Sequence, residues 1–377
     1  AGATPVYVYN RTVLRDRVAL VRTASPTGAL IYYSLKANPH PGVVNALTGV
    51  VDGFDVCSTA ELETVLNTGT DPGVVLFTGP AKSTAEATSA LASGVAVTIE
   101  SLGQARLFAR VAEQIGASGR AVLRVNTPYP VSDPEQTVEP NQFGLADDDL
   151  DEAAELLARS AVRVEGLHLF WGSQHFDTSV IAGARTDALE RARRLAGRTG
   201  LTLETVMIGG GIGLPWCDAD PAVDWPGLHR AALNQDAELR ALFPEPAPAI
   251  ACEYGRAIAG PAGTLLTSVL DVKEVGDRRY VLVDAGLNHA MIASRLVAGG
   301  RRGEPRVRAV GARDSRRVRR TWVSGPLCSR LDVLAADVAL PEVEPGDLLA
   351  FAALGAYGAT FSPAGFLSRD PARELVY

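Results

Sequence analysis

Lys36 lies in Tyr-Ser-Leu-Lys-Ala-Asn (33–38), and the chain has only two other lysines, Lys82 and Lys273, against 33 arginines. Where a positive charge alone suffices, this sequence uses arginine. A lysine kept in that setting points to chemistry that needs a primary amine. An amine can lose its proton and condense with a carbonyl to a Schiff base, whereas a guanidinium cannot. Composition alone leaves a half-buried lysine at a strand end as an equal alternative. A second feature is Gly-Gly-Gly-Ile-Gly at 209–213. Consecutive glycines let backbone N–H groups point into one nest, which suits a phosphate monoester. The run is not a dinucleotide fingerprint, because the third glycine of G-x-G-x-x-G falls on Leu214. Its other reading is a flexible strand-to-helix turn. A third feature is Glu253, in Glu-Tyr-Gly-Arg (253–256).

These groups need elements that bring them together. Eight short apolar runs alternate with helix-like segments: 29–36, 53–58, 73–79, 94–101, 120–126, 163–173, 202–211 and 248–256. They are β-branched and mostly non-alternating, as expected of parallel strands buried on both faces. Helical patterns fall between them, for example over 58–69, 101–116, 147–161 and 180–200. Ser-Thr-Ala-Glu occurs at 58–61 and again at 83–86, and both read as capping boxes. Eight β-α units in this length predict a (β/α)8 barrel over 22–256; a doubly wound sheet would leave two units over. After Arg256 the segments 262–274, 278–284, 306–312, 319–324 and 347–353 read as short strands, so 1–21 and 257–377 are expected to form a discontinuous β-domain, with the opening strand Pro5–Asn10 pairing into it.

In barrel enzymes the reactive groups sit at the C-terminal strand ends. Lys36, Asp55, Ser58, Arg124, His168, Gly172, Ser173, the glycine run, Glu253, Gly255 and Arg256 all fall there. Burying so many polar groups together is costly unless they serve a ligand. An amine, a phosphate nest and a carboxylate on one barrel face describe pyridoxal 5′-phosphate (PLP): the amine anchors its aldehyde, the nest holds its phosphate and the carboxylate pairs with the pyridine nitrogen.

Eight motifs in order now carry a resemblance. They are Tyr-Ser-Leu-Lys-Ala-Asn, Phe-Asp-Val-Cys-Ser-Thr-Ala-Glu-Leu (54–62), Gly-Leu-His-x-x-x-Gly-Ser-Gln (166–174), Gly-Gly-Gly-Ile-Gly, Glu-x-Gly-Arg, Val-Asp-Ala-Gly (283–286), Gly-Pro-x-Cys (325–328) and Gly-Ala-Tyr-Gly (355–358). The chain resembles the fold-type III PLP-dependent decarboxylases, the group of diaminopimelate and ornithine decarboxylases, over about residues 5–377. The resemblance implies an alanine-racemase-like barrel with a C-terminal β-domain. It implies that Lys36 is the Schiff-base lysine and that Glu253 is the partner of the ring nitrogen. It places Ser173, Gly210, Gly211, Gly213, Gly255, Arg256 and Tyr357 around the phosphate, and Asp55, Arg124, His168 and Phe170 along the rest of the cofactor. It makes Cys328 the acid that protonates Cα, supplied across a homodimer interface so that active sites are shared. A carboxylate at the ring nitrogen favours decarboxylation over the racemase or epimerase reaction, since racemases of this fold place an arginine there. A non-catalytic PLP-binding regulatory homologue is the remaining alternative, and the intact Lys36, Glu253 and Cys328 argue against it.

Departures from the family pattern bear on substrate. Ser329 and Arg330 follow Cys328, where the family's best-known members carry an acidic residue for a distal ammonium; Asp332 is the nearest acid. Phe170 replaces a histidine, Gln142 a lysine and Tyr254 a proline. These features resemble the secondary-metabolism subgroup, some members of which act on glutamyl or 3-methylaspartyl groups tethered to an acyl carrier protein. The substrate-recognition residues are then expected to be Ser329, Arg330 and Asp332. Residues 301–320 hold nine arginines against Glu304 and Asp314 in a chain of net charge −7, a patch that would steer an acidic carrier, or else an ordinary solvated hairpin. The net charge gives no reason to bind nucleic acid. No apolar stretch approaches a membrane span, and four scattered cysteines (57, 217, 252, 328) argue against a metal site or disulfides and for a cytoplasmic protein.

Overall fold

Short apolar runs flanked by glycine, serine and aspartate have few alternatives to buried parallel strands, and the chain uses them that way. The computed structural model describes residues 4–127, 141–243, 246–294, 303–311 and 317–377. Strand β1 (Val6–Tyr9) and helix α1 (Arg11–Thr23) come first. Then β2 (Leu30–Ser34), α2 (Pro41–Leu47), β3 (Gly53–Val56), α3 (Thr59–Leu66), β4 (Val75–Phe77), α4 (Thr84–Ser93), β5 (Ala96–Ile99) and α5 (Leu102–Ile115) alternate. They are followed by β6 (Gly119–Val125), α6 (Asp149–Ala158), β7 (Val162–Leu169), α7 (Thr178–Thr199), β8 (Thr205–Gly209), α8 (Trp225–Leu242) and β9 (Ala249–Tyr254). Strands β2 to β9 are parallel and close into an eight-stranded barrel. Its interior is plugged by Leu76, Ala96, Val122, Met207 and Ala251, with Leu30 and Tyr32 packed against them. That plug leaves the opposite, C-terminal strand ends for polar groups.

Helix starts follow the local sequence. Ser83 and Glu86 form the full reciprocal capping box of α4. At α3 only half of the expected box forms: Ser58 accepts from the Glu61 N–H, but the Glu61 carboxylate accepts from the N–H of Cys57 at 2.7 Å rather than from Ser58. The carboxylate satisfies an orphan donor in either case, and the neighbouring one is nearer.

The second unit is a sheet of β1 with β10 (Gly263–Val275), β11 (Arg278–Val283), β12 (Val307–Val310), β13 (Val318–Ser324), β14 (Val333–Pro341), β15 (Leu348–Phe351) and β16 (Arg373–Val376). β1 runs antiparallel to β10, with Val6 opposite Leu266, and parallel to β16, as the expectation of a discontinuous domain requires. Strands β14 and β16 have no counterpart in the sequence reading. Contacts group residues 1–17, 214–223 and 255–377 in this unit, and 18–213 with 224–254 in the barrel unit. Residues 214–223, read from the sequence as barrel, thus group with the sheet. No helix among the described residues is long and apolar enough to cross a membrane.

Candidate active site

Several charged side chains of the barrel unit, most of them buried, lie at or just beyond the C-terminal strand ends. Lys36 lies one turn beyond β2, in a short 3-10 turn over Leu35–Ala37. Its side chain is 47% exposed, with Nζ 3.4 Å from Asp55 Oδ2. The amine is thus open to a small molecule while a carboxylate holds its near side. Asp55 is fully buried on β3, and its other oxygen accepts from the Thr78 hydroxyl. Burial pushes its carboxyl up, against the pull of Lys36 and of the Thr78 bond.

Glu253 points inward from β9, beside β2 in register with Tyr32. His168, from the end of β7, meets its Oε2 through Nε2 at 3.1 Å, and both side chains are buried. Burial alone would raise the Glu253 carboxyl; His168, with Lys36 and Arg124, outweighs it and holds the group well below the usual carboxylate range. Glu253 Oε1 and His168 Nδ1 are buried without a hydrogen-bond partner. A buried carboxylate oxygen lacking a donor is expensive, so this one fits a ligand N–H, as a protonated pyridine nitrogen would offer.

Arg124, at the end of β6, is 8% exposed; Nη1 lies 3.2 Å from Glu100 Oε2, and its guanidinium is 4.7 Å from the Phe143 ring and 5.9 Å from the Phe170 ring. After β7 the chain carrying Phe170 and Ser173 turns back onto the glycine run. The N–H of His175 donates to Gly211 O at 3.0 Å, and the N–H of Gly213 to His175 O at 2.7 Å. Trp171 Nε1 donates to Gly209 O at 2.9 Å. Gly211 has φ +67°, and a Cβ there would collide with the Trp171 ring. A Cβ on Gly210 would strike Tyr254 and Glu253 O. The glycines are therefore required by packing, and the turn they make brings exposed Ser173 to the same loop pair.

The sheet unit holds the other expected residues. Arg256 lies between the rings of Trp216 and Tyr357, 4.8 Å from each, with Nε buried and unpartnered, while Gly255 precedes it in the short turn; Tyr357 takes φ +60°. Cys328, Ser329 and Arg330 form the loop between β13 and β14, with Cys328 and Arg330 exposed. Asp332 differs from its expected role. It is 2% exposed, and its carboxylate accepts from the N–H groups of Leu287 at 2.6 Å and Leu327 at 2.7 Å. It clamps the loop's base and has little left for a substrate. The arginine-rich segment is also less uniform than expected. Arg306 pairs with Asp218, Arg319 with Glu274 and Glu342, and Arg320 with Asp337. Arg308 and Arg317 make no ion pair with a described residue, and Arg301, Arg302, Arg313 and Arg316 lie outside the described residues. No cluster of His, Cys, Asp or Glu suited to a metal ion occurs among the described residues.

Known proteins of this construction settle the lineage. The profile of the family described as pyridoxal-dependent decarboxylase, pyridoxal binding domain, matches residues 12–260. The chain belongs to this family. A member of it is a PLP-dependent carboxy-lyase. Similar proteins include the L-glutamyl-[BtrI acyl-carrier protein] decarboxylase of Niallia circulans, 27% identical over 99% of this chain and 88% of that one. The diaminopimelate decarboxylase of Pseudomonas aeruginosa is 32% identical over 99% of this chain and 87% of its own. Among solved structures, diaminopimelate decarboxylase from Helicobacter pylori complexed with L-lysine superposes with a TM-score of 0.85 at 26% identity, covering 100% of this chain and 92% of that chain.

Sequence reasoning missed Glu100, Lys82 and Thr78, all buried at the barrel mouth. Thr78 and Glu100 lie in two of the apolar runs, where a polar residue near a strand's C-terminal end is itself the signal.

Proposed function

We propose that this decarboxylase removes the α-carboxyl group of an acidic L-amino acid, or of such an aminoacyl group held by an acyl carrier protein, in a biosynthetic pathway. When bound, PLP supplies a carbonyl that condenses with amines and a ring that withdraws electrons from Cα. The observation that carries the reading is the buried, unpartnered Glu253 Oε1 in the same barrel mouth as the accessible Lys36 amine. Glu253 would accept a hydrogen bond from the protonated ring nitrogen and leave the proton there, and its depressed pKa keeps it ionised for that task. His168 holds Glu253 from the far side. Phe170 would lie against the ring, and Asp55 and Arg124 would flank it. Gly211 and Ser173 would offer an N–H and a hydroxyl donor to the phosphate, while Gly210 and Gly213, whose own N–H groups donate to Glu253 O and His175 O, would shape the turn that receives it. By family resemblance Gly255, Arg256 and Tyr357 share that duty, and Cys328 delivers the proton to Cα in a homodimer with shared sites.

Two features support an acidic or tethered substrate. Ser329 and Arg330 replace the family's acid, and Asp332 is occupied by backbone donors. A substrate ending in an ammonium would then find no counter-ion on this loop. A relative in Niallia circulans is named for a carrier-bound glutamyl substrate. A free diaminopimelate- or ornithine-type substrate is the second reading, favoured by the relative in Pseudomonas aeruginosa.

CO2 release from a panel of free and carrier-loaded acidic amino acids, with diaminopimelate, lysine and ornithine beside them, tests this. Release from an acidic or carrier-loaded member alone is expected, and preference for a diamino acid would overturn the substrate assignment. Loss of the α-hydrogen stereochemistry without CO2 would make the enzyme a racemase. Lys36→Ala should abolish both turnover and the visible absorbance of the bound cofactor; retained turnover would refute the role of Lys36.

A further inference from the structure

Two buried charges at the β4–β5 side of the barrel mouth take no part in the function proposed above. Lys82, one of only three lysines in the chain, is 8% exposed. Its Nζ lies 2.7 Å from Gly79 O, 2.7 Å from Thr98 O, 3.2 Å from Thr98 Oγ1 and 3.3 Å from Gln104 Oε1. An ammonium has three protons, so neutral acceptors saturate it, and together they tie the loop after β4 to the end of β5. Burial lowers its pKa to about 8, with Glu100 the first group to oppose that.

Glu100 is 4% exposed and bonds the Lys82-held loop on one side and Arg124 on the other. Its Oε1 accepts from the Gly79 N–H at 3.0 Å; its Oε2 accepts from the Gly144 N–H and from Arg124 Nη1, each at 3.2 Å. Gly79 is thus held twice, through its carbonyl by Lys82 and through its N–H by Glu100. Arg124 has a long side chain with much rotamer freedom. On one side it has the rings of Phe143 and Phe170, which fix a plane but not a direction. The charge-assisted bond to Glu100 supplies the direction.

The geometry points to Glu100, braced by Lys82 through Gly79, as the positioning residue that sets Arg124 at the barrel mouth. The inference rests on the proposed reading of Arg124 as a group flanking the cofactor. A double-substitution cycle tests it, read as the Kd for PLP from absorbance titration of the full-length, cofactor-stripped chain. Glu100→Gln keeps the side chain's shape and one acceptor oxygen, enough for the N–H of Gly79 or of Gly144 but not both; circular dichroism should show the folded chain, while Kd rises on the order of ten-fold, the loss of about 1.4 kcal/mol. In an Arg124→Gln background the same change should move Kd by less than about two-fold, since the group it positions is gone. Lys82→Gln, which keeps two donors, should show the same dependence on Arg124 with a smaller effect, and it serves if Glu100→Gln does not fold. Equal effects of Glu100→Gln in both backgrounds would overturn the positioning role while leaving Arg124 in place. A Kd unmoved by Arg124→Gln would overturn the reading of Arg124 and this inference with it.

Discussion

Glu253 gains its low proton affinity from neighbours on other strands, so its charge state is a property of the folded barrel. Its carboxyl is depressed, so the stability it contributes is present above the ordinary carboxylate pKa of roughly 4.3 and is lost as pH falls through the folded value. Asp55 works the other way: its carboxyl is raised by burial, so acidification adds rather than removes stability there. Urea midpoints of the wild type should therefore fall as pH drops below about 4.5, and Glu253→Gln should flatten that component. At pH 7 the substitution leaves His168 facing a neutral amide, with a cost on the order of 1–3 kcal/mol. Catalysis should fall further, by about 10²-fold or more, because a neutral amide cannot stabilise a protonated ring nitrogen as an anion does. A midpoint curve unchanged by the substitution would mean that His168 does not hold Glu253 ionised. Lys36, Asp55, Arg124, His168 and Glu253 were legible in the sequence because each is a reactive type at the end of an apolar run. Glu100 carried the same signal at the end of run 94–101 and was missed; Lys82 was not legible, because it lies outside the runs and a buried charge is explained by its partners, which depend on which strands lie side by side.

Strand β9 shows how one element serves two layers. Side chains alternate along it, so Glu253 faces the barrel interior and Tyr254 faces the helices. Tyr254 Oη accepts from Arg185 Nη2 at 2.9 Å and donates to Ser25 Oγ at 2.8 Å, because the Ser25 proton is already committed to Val21 O at 2.8 Å. Arg185 is fully buried on α7, with Nη1 also donating to Ala24 O at 2.6 Å. The sequence shows Tyr254 as a departure from a family proline; the structure shows what the departure holds. Tyr254→Phe keeps the ring against Gly210 but leaves an Arg185 N–H without its acceptor. It should cost about 1–3 kcal/mol in urea unfolding and change PLP affinity by less than about two-fold. A large loss of affinity would place this network in the site rather than behind it. At this scale the barrel strands and most helices were readable from period and capping residues. β14 and β16 were not: β14 carries the poor strand formers Ala335, Ala336 and Asp337 at its centre, and β16 gains its place by pairing with β1, far away in the chain.

For the molecule as a whole, the proposed homodimer makes a claim that no single chain can satisfy. Cys328 is exposed on the loop between β13 and β14, where a thiol has no packing role of its own. If that thiol completes the partner's site, then Lys36→Ala and Cys328→Ala chains are each inactive alone but complementary when mixed. Random reassociation puts about half of the dimers in the mixed state, and each mixed dimer carries one site with both residues intact. About a quarter of all sites, and so about a quarter of wild-type turnover, should return on mixing. If each site draws Lys36 and Cys328 from the same chain, every site in the mixture lacks one of them and no turnover returns. Sedimentation of the mixture distinguishes that outcome from simple failure to associate, because the separated-site answer requires dimers that form and remain silent.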